Sequence, residues 1–186
     1  MKKYLITSRE FYTDSPAVFR KILHERLVKH LPDFALYRDK SNPRYKELAS
    51  HFVQTCSQFE NVKSFIHADA DLAKSLNATG VHLTSTQFEQ IEYAKSLNLE
   101  VVVSAHTHEE VLNAEEKGAD YATYSPIFAS PNKGEPKGVE DLKDLLAKTD
   151  MKVFALGGIV SEEQVDFVER SGVYGFASIR YFYPWK

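Results

Sequence analysis

Three histidines, a group of cations and one glycine pair carry the chemistry this chain can do. His67, His82 and His106 fall at or near the ends of short apolar runs. Imidazole is the side chain that most readily gains and loses a proton near neutral pH, so each is a candidate acid/base. Arg38 and Lys40 close another such run. Two residues apart on extended backbone, they share a face and can hold one anion, the guanidinium as a planar fork and the ammonium as a point charge. Ser104, Ser130, Asn132 and Lys133 add hydrogen-bond donors for a substrate. Gly157-Gly158 leaves backbone N–H groups unshielded, which suits a phosphate, and Ser178, Ile179 and Arg180 near the end of the chain offer a hydroxyl, amides and a guanidinium for the same anion.

Each feature also has a plainer reading. Arg38-Asp39-Lys40 can be a solvated turn, the segment around Ser130 an ordinary surface loop, the glycines a tight strand-to-helix turn, and any one histidine a structural residue. Three histidines near one place make at least one functional histidine the expectation without saying which. No two of them share an element at metal-ligand spacing, so their pattern predicts no metal site.

The elements that must position these residues alternate from end to end. Strands are predicted at 4–8, 34–38, 64–67, 80–83, 100–104, 121–125, 153–156 and 175–179, from short apolar runs that end abruptly in small or polar residues. Helices are predicted at 17–30, 45–58, 71–76, 88–97, 109–117, 139–148 and 162–170. Ser15-Pro16 and Asn42-Pro43 start the first two, Ser161 starts the last, and Lys117-Gly118 and Arg170-Ser171-Gly172 act as stops. Regular alternation implies a parallel sheet with right-handed crossovers. Eight strands favour a closed (β/α)8 barrel, and no Gly-x-Gly-x-x-Gly follows the first strand to suggest a dinucleotide fold. The expected fold class is therefore α/β, a single-domain (β/α)8 TIM-type barrel over residues 1–186, with strand carboxyl ends converging on one mouth.

With 186 residues the chain is short for such a barrel, which typically takes ~250. The shortfall lies at the end, where Tyr181-Phe182-Tyr183-Pro184-Trp185-Lys186 stand in place of a full-length eighth helix. These aromatics either cover the exposed barrel face themselves or help bury it against a second copy in a homodimer.

Composition narrows the partners. Hydrophobic content of 43% and charged content of 26% are those of a globular domain, and a net charge of −3 gives no footprint for nucleic acid. A single cysteine, Cys56, excludes an internal disulfide and suits a reducing compartment. The opening apolar stretch is too short for a signal peptide or membrane span, so a cytoplasmic protein with no membrane partner is expected.

The order of these blocks resembles the thiamin phosphate synthase and TenI family of thiamin biosynthesis, most closely from Val101 to Gly158. Leu36-Tyr37-Arg38-Asp39-Lys40 matches the Arg and Lys of that family's Gln-x-Arg-x-Lys motif, with Leu36 in place of Gln. The match implies that Arg38 and Lys40 face the diphosphate of a pyrimidine substrate. Ser125-Pro126-Ile127-Phe128-Ala129-Ser130-Pro131-Asn132-Lys133 parallels Gly-Pro-Ile-Phe-x-Thr-x-Thr-Lys, keeping the lysine and exchanging both threonines for other polar residues. Gly157, Gly158 and the 177–180 segment correspond to the phosphate cup for the thiazole, the family's serine falling on Arg180.

The departures matter as much. The family's metal-binding aspartates, in an Asn-Asp-Arg segment and a Gly-Val-His-Leu-Gly-x-x-Asp segment, fall here on Ala68 and Gln87. Synthase chemistry expels diphosphate and needs magnesium to neutralise it, so Mg2+ is implied only if that chemistry is retained. The TenI histidine falls on Pro126. The resemblance implies a protein that binds a phosphorylated thiazole or thiamin phosphate, TenI-like in activity (a thiazole phosphate tautomerase or an accessory protein). The alternatives are a synthase with an altered metal site and a non-catalytic binding protein.

Overall fold

A computed structural model describes residues 1–39 and 41–183; Lys40 and Trp185, both singled out above, lie outside the described residues. The element order is β1 (Lys2–Ile6), α1 (Arg9–Tyr12), α2 (Pro16–His30), β2 (Phe34–Tyr37), α3 (Tyr45–Cys56), β3 (Lys63–His67), α4 (Ala70–Ser75), β4 (Gly80–Leu83), α5 (Ile91–Ser96), β5 (Glu100–Ala105), α6 (His108–Glu116), β6 (Tyr121–Tyr124), α7 (Gly138–Leu146), β7 (Lys152–Leu156), α8 (Glu162–Glu169) and β8 (Gly175–Ser178). A 3-10 turn at Phe88–Gln90 leads into α5. The strands pair in chain order, all parallel, and β8 closes on β1 through Lys2↔Gly175 to Leu5↔Ser178. The (β/α)8 barrel expected from the alternation is the fold observed.

Two details differ from expectation. The first strand begins two residues early, because Lys2 N–H donates to the Tyr174 carbonyl and Lys3 N–H to Asp33. Ser8, expected within that strand, instead accepts backbone bonds from Phe11 and Tyr12 and opens α1. Four residues are too few to leave a helical periodicity in the sequence. α1 nevertheless buries Tyr12 and brings Glu10 and Phe11 to the mouth.

Period-two alternation fills the barrel in layers. At the amino-terminal floor, Lys63 Nζ lies 2.7 Å from Glu100, which also accepts from Tyr121 Oη at 2.9 Å. Above it Tyr4, Phe34, Phe65 and Phe154 pack ring against ring, with centroid separations of 5.0 to 5.9 Å. Gly80 belongs in this layer because a Cβ there would meet the Phe65 ring at 2.7 Å. The aromatic plug seals the barrel from below, so only the carboxyl-end mouth is open. A larger shell of Leu, Ile, Val, Phe and Ala side chains joins the outer faces of the strands to the helices.

Among the described residues no helix follows β8. Phe182 is fully buried, stacked 5.7 Å from Phe176 and edge-on to His30. Tyr183 packs on Phe11 at 5.0 Å and lies beneath the Arg26 guanidinium. The aromatic segment thus covers the face within its own chain.

Candidate active site

The mouth is a cavity of about 670 Å³ above the aromatic plug, within the range of small-molecule sites. It is lined by one inward-facing residue or more from every strand end. His67, His82, His106, Arg38, Ser104, Ser130, Lys133, Gly157, Gly158, Ser178, Ile179 and Arg180 all reach it. Asn132 does not. It sits exposed at the loop tip with φ of 58°, a left-handed turn position that Asn tolerates. Ser8, Glu10, Thr84, Ser85 and Ser125 line the cavity without having been picked out. Ser8 and Ser125 continue the inward period of two from Tyr4 and Ile6 and from Tyr121 and Thr123, a signal that could have found them, whereas α1 leaves no readable one.

Three cations face this space and one carboxylate, Glu10, does so among the described lining residues. Arg38 hangs from the β2 end, where its N–H donates to Thr7 Oγ1 at 3.1 Å. Burial pulls its pKa below the usual arginine value, but a guanidinium stays charged throughout the physiological range. Asp39, a possible counter-charge, instead accepts from Asn42 Nδ2 at 2.8 Å and is buried. The solvated-turn reading of this segment therefore fails, and Arg38 is left facing the cavity. A cation held in that position favours an anion.

The cup forms where β7 and β8 end. Gly157 and Gly158 have φ of 108° and 68°. A Cβ on Gly157 would lie 2.7 Å from Pro126 Cα, and one on Gly158 would lie 2.4 Å from the Ala129 carbonyl oxygen. Glycine is required by both backbone conformation and space. The N–H groups of Gly157, Gly158, Ile179 and Arg180 find no backbone acceptor among the described residues outside the regular ladders, so they remain available to an anion. Ser178 plays a different part from the one expected. Its hydroxyl donates to the Ile159 carbonyl at 2.7 Å and accepts from Tyr181 N–H at 3.1 Å. It ties the two cup loops together and has no hydrogen left for a ligand.

The histidines divide into three environments. His82 is buried, with Nδ1 2.9 Å from Tyr4 Oη and Nε2 3.0 Å from Ser104 Oγ. Burial first, then His67 and Arg38, hold its pKa well below that of a free histidine, so the ring is neutral. His67 is buried in the wall, its carbonyl receiving the Tyr45 hydroxyl at 2.9 Å. His106 stands at the rim, its side chain 47% exposed and its Nδ1 3.6 Å from Glu110. The same carboxylate accepts from the His106 backbone N–H at 2.9 Å, which fixes the residue at the start of α6. Of the three, His106 combines access to the cavity with a carboxylate close to its ring.

The ends of β3 and β4 tell a different story. Ala68 has φ of 64° and carries no side-chain oxygen. Gln87 bridges the two loops, its Oε1 accepting from Thr84 N–H at 3.0 Å and its Nε2 donating to the Ala68 carbonyl at 3.1 Å. Asp69 caps α4 by accepting from Leu72 N–H, and Asp71 receives the Tyr93 hydroxyl. No group of three acidic, histidine or cysteine residues among those described could hold a metal ion. Magnesium requires hard, anionic oxygen ligands. The residues present do not fit it.

A closed parallel barrel with cations and glycine amides around its carboxyl-end mouth defines a barrel protein built to take an anionic small molecule. The chain belongs to the thiamine monophosphate synthase family (TMP-TENI), whose model matches residues 3–182. It is 31% identical over 183 residues to a candidate thiamine-phosphate synthase 2 of Aquifex aeolicus, covering 96% of each chain. It is 29% identical over 184 residues to the thiamine-phosphate synthase of Clostridium acetobutylicum, covering 96% of this chain and 85% of that one. The solved thiamine phosphate pyrophosphorylase of Pyrococcus furiosus superposes with a TM-score of 0.82 at 28% identity, over 96% of this chain and 85% of that chain. No helix among the described residues is long and apolar enough to cross a membrane.

Proposed function

We propose that the mouth binds a phosphorylated thiazole and shifts a proton on it, a metal-independent, TenI-like isomerisation. The observation that carries this reading is the split character of the site: an intact anion cup beside a metal position closed by the Gln87 amide. In an isomerisation the proton taken from one carbon returns to another position of the same ligand. The reaction needs no second substrate, no leaving diphosphate and no metal. The Gly157-Gly158 turn with Ile179 and Arg180 would take the phosphate, and Lys133 and Arg38 would neutralise further negative charge on the ligand.

On this reading His106, the most exposed of the three histidines that line the mouth, would move the proton. Position 126, where the family's TenI histidine falls, is a proline. His82 has both ring nitrogens engaged within the fold. Glu110 beside His106 would steady the imidazolium as it forms. A second reading, synthase chemistry, is favoured by the names of the relatives, and one experiment separates the two. A carboxylated thiazole phosphate is incubated in deuterated water without metal, and a pyrimidine diphosphate with thiazole phosphate is incubated with Mg2+. Deuterium uptake in the first, falling ~10²–10⁴-fold in His106→Asn, supports the proposal. Thiamin phosphate formation at roughly 1 s⁻¹ or above in the second overturns it. Binding without either turnover would leave a carrier rather than an enzyme.

A further inference from the structure

Tyr4 lies in the aromatic layer beneath the mouth, fully buried among Phe34, Phe65 and Phe154. The one hydrogen-bond partner of its hydroxyl among the described residues is His82 Nδ1, at 2.9 Å. On the other side of the same ring, Nε2 lies 3.0 Å from Ser104 Oγ. Three inward-facing residues from β1, β4 and β5 thus form a chain that runs from the dry core to the cavity surface.

The direction of that chain is fixed by what each end can do. A buried phenol must place its hydrogen on an acceptor, and the rings around Tyr4 provide none. The hydroxyl therefore donates to Nδ1. A neutral imidazole that accepts at Nδ1 carries its hydrogen on Nε2, which then donates to Ser104 Oγ. The opposite tautomer would strand the phenolic hydrogen in the core. A protonated ring is opposed by burial and by Arg38 and His67, the charged or titratable groups nearest it besides Tyr4. With its oxygen already accepting from His82, Ser104 has its own hydrogen left to give.

We infer that Tyr4 and His82 are positioning residues that set Ser104 as a hydrogen-bond donor into the mouth, so that the ligand must present an acceptor there. In the closed strand order β5 stands two strands from β7 and three from β8, whose ends form the phosphate cup. The acceptor belongs, then, to a part of the ligand other than the phosphate held in that cup. On the proposed function, on which this identification of the acceptor rests, it is the carboxylate of the carboxylated thiazole.

The test has two arms. Long-range ¹H–¹⁵N correlation spectra of the uniformly labelled protein report which ring nitrogen of His82 carries the hydrogen. The expected result is the Nε2–H tautomer, unchanged between pH 6 and 8. Tyr4→Phe, which removes the hydroxyl and keeps the ring, should release Nδ1 and give a mixture of tautomers. An Nδ1–H tautomer or a protonated ring in the native protein would overturn the inference, whatever the ligand. In the second arm, affinities for a thiazole phosphate with and without a 2-carboxylate are compared. The carboxylate should strengthen binding roughly tenfold or more in the native protein. The gain should largely vanish in Ser104→Ala and shrink in Tyr4→Phe. An equal gain in all three proteins would overturn the assigned polarity. Failure of both compounds to bind the native protein would refute the functional reading and leave the tautomer result standing on its own.

Discussion

On one side of the mouth, the loops after β6, β7 and β8 present Ser130, Lys133, the Gly157-Gly158 amides and Arg180. On the other, the loops after β3 and β4 present Ala68 and a glutamine whose amide is bonded to both loops. The first half still has everything an anion needs, because backbone N–H groups and a few cations suffice. In the second, Asp69 is taken up in capping α4, and the Gln87 amide clips the two loops together. On the proposed function, anion recognition and metal recognition are separable in this barrel.

The sharpest way to break the comparison is to damage the cup alone. Gly158→Ala forces a Cβ to 2.4 Å from the Ala129 carbonyl oxygen at a φ of 68°. It should cost about 2–4 kcal/mol of stability, read as a fall in Tm, and abolish phosphate binding in a titration. Arg38→Ala touches no fold contact of that kind. It should weaken binding of a phosphorylated thiazole ~10- to 100-fold while leaving Tm nearly unchanged.

Acid reaches the other half. His82 lies beneath it, and His30, half-buried beside Phe182, also has a depressed pKa through partial burial and nearby cations. Below the ordinary histidine pKa the unfolded chain binds protons at these two positions that the folded chain refuses, so protons favour unfolding. Stability should fall as pH drops from 7 to 5, by up to ~1.4 kcal/mol per pH unit for the buried His82 and by much less for the solvent-screened His30, in denaturant titrations. His82→Gln would weaken that slope even if it lowers stability at pH 7.

The clip provides the contrasting case. Gln87→Ala removes two hydrogen bonds and leaves the Thr84 N–H and Ala68 carbonyl to water. A loss of about 1–2 kcal/mol is expected, with phosphate affinity changed by less than about twofold. Smallest of all, Ala68→Gly relieves a left-handed alanine and should shift stability by less than about 1 kcal/mol.

The barrel was legible because its signal is repetitive. Predicted strands of four or five residues ending in Arg38, His67, Ser104 or Ser125 repeat one pattern, and the period of two that predicts the core also predicts which residues face the mouth. Gly157-Gly158 was legible because positive φ and close approach leave few other choices. What escaped depends on contacts distant in the chain. The four residues of α1 carry no period, yet they bring Glu10 to the cavity. Nothing in the sequence around Ser178 shows that its hydroxyl belongs to Ile159, and Asn132 looked like a ligand donor until a turn carried it away. Tyr4 reads as ordinary core until its hydroxyl is found beneath His82, 78 positions away. The loss of metal ligands at Ala68 and Gln87 could be read from a family resemblance. The amide bridge that replaces them could not.

The central claim is that this mouth takes its phosphorylated ligand without a divalent cation. Its most direct test is a calorimetric titration of the protein with a carboxylated thiazole phosphate, once in EDTA and once in millimolar Mg2+. The account predicts binding in both, with dissociation constants equal within about twofold. Binding that appears only with Mg2+, or tightens tenfold (about 1.4 kcal/mol) when it is added, would contradict it.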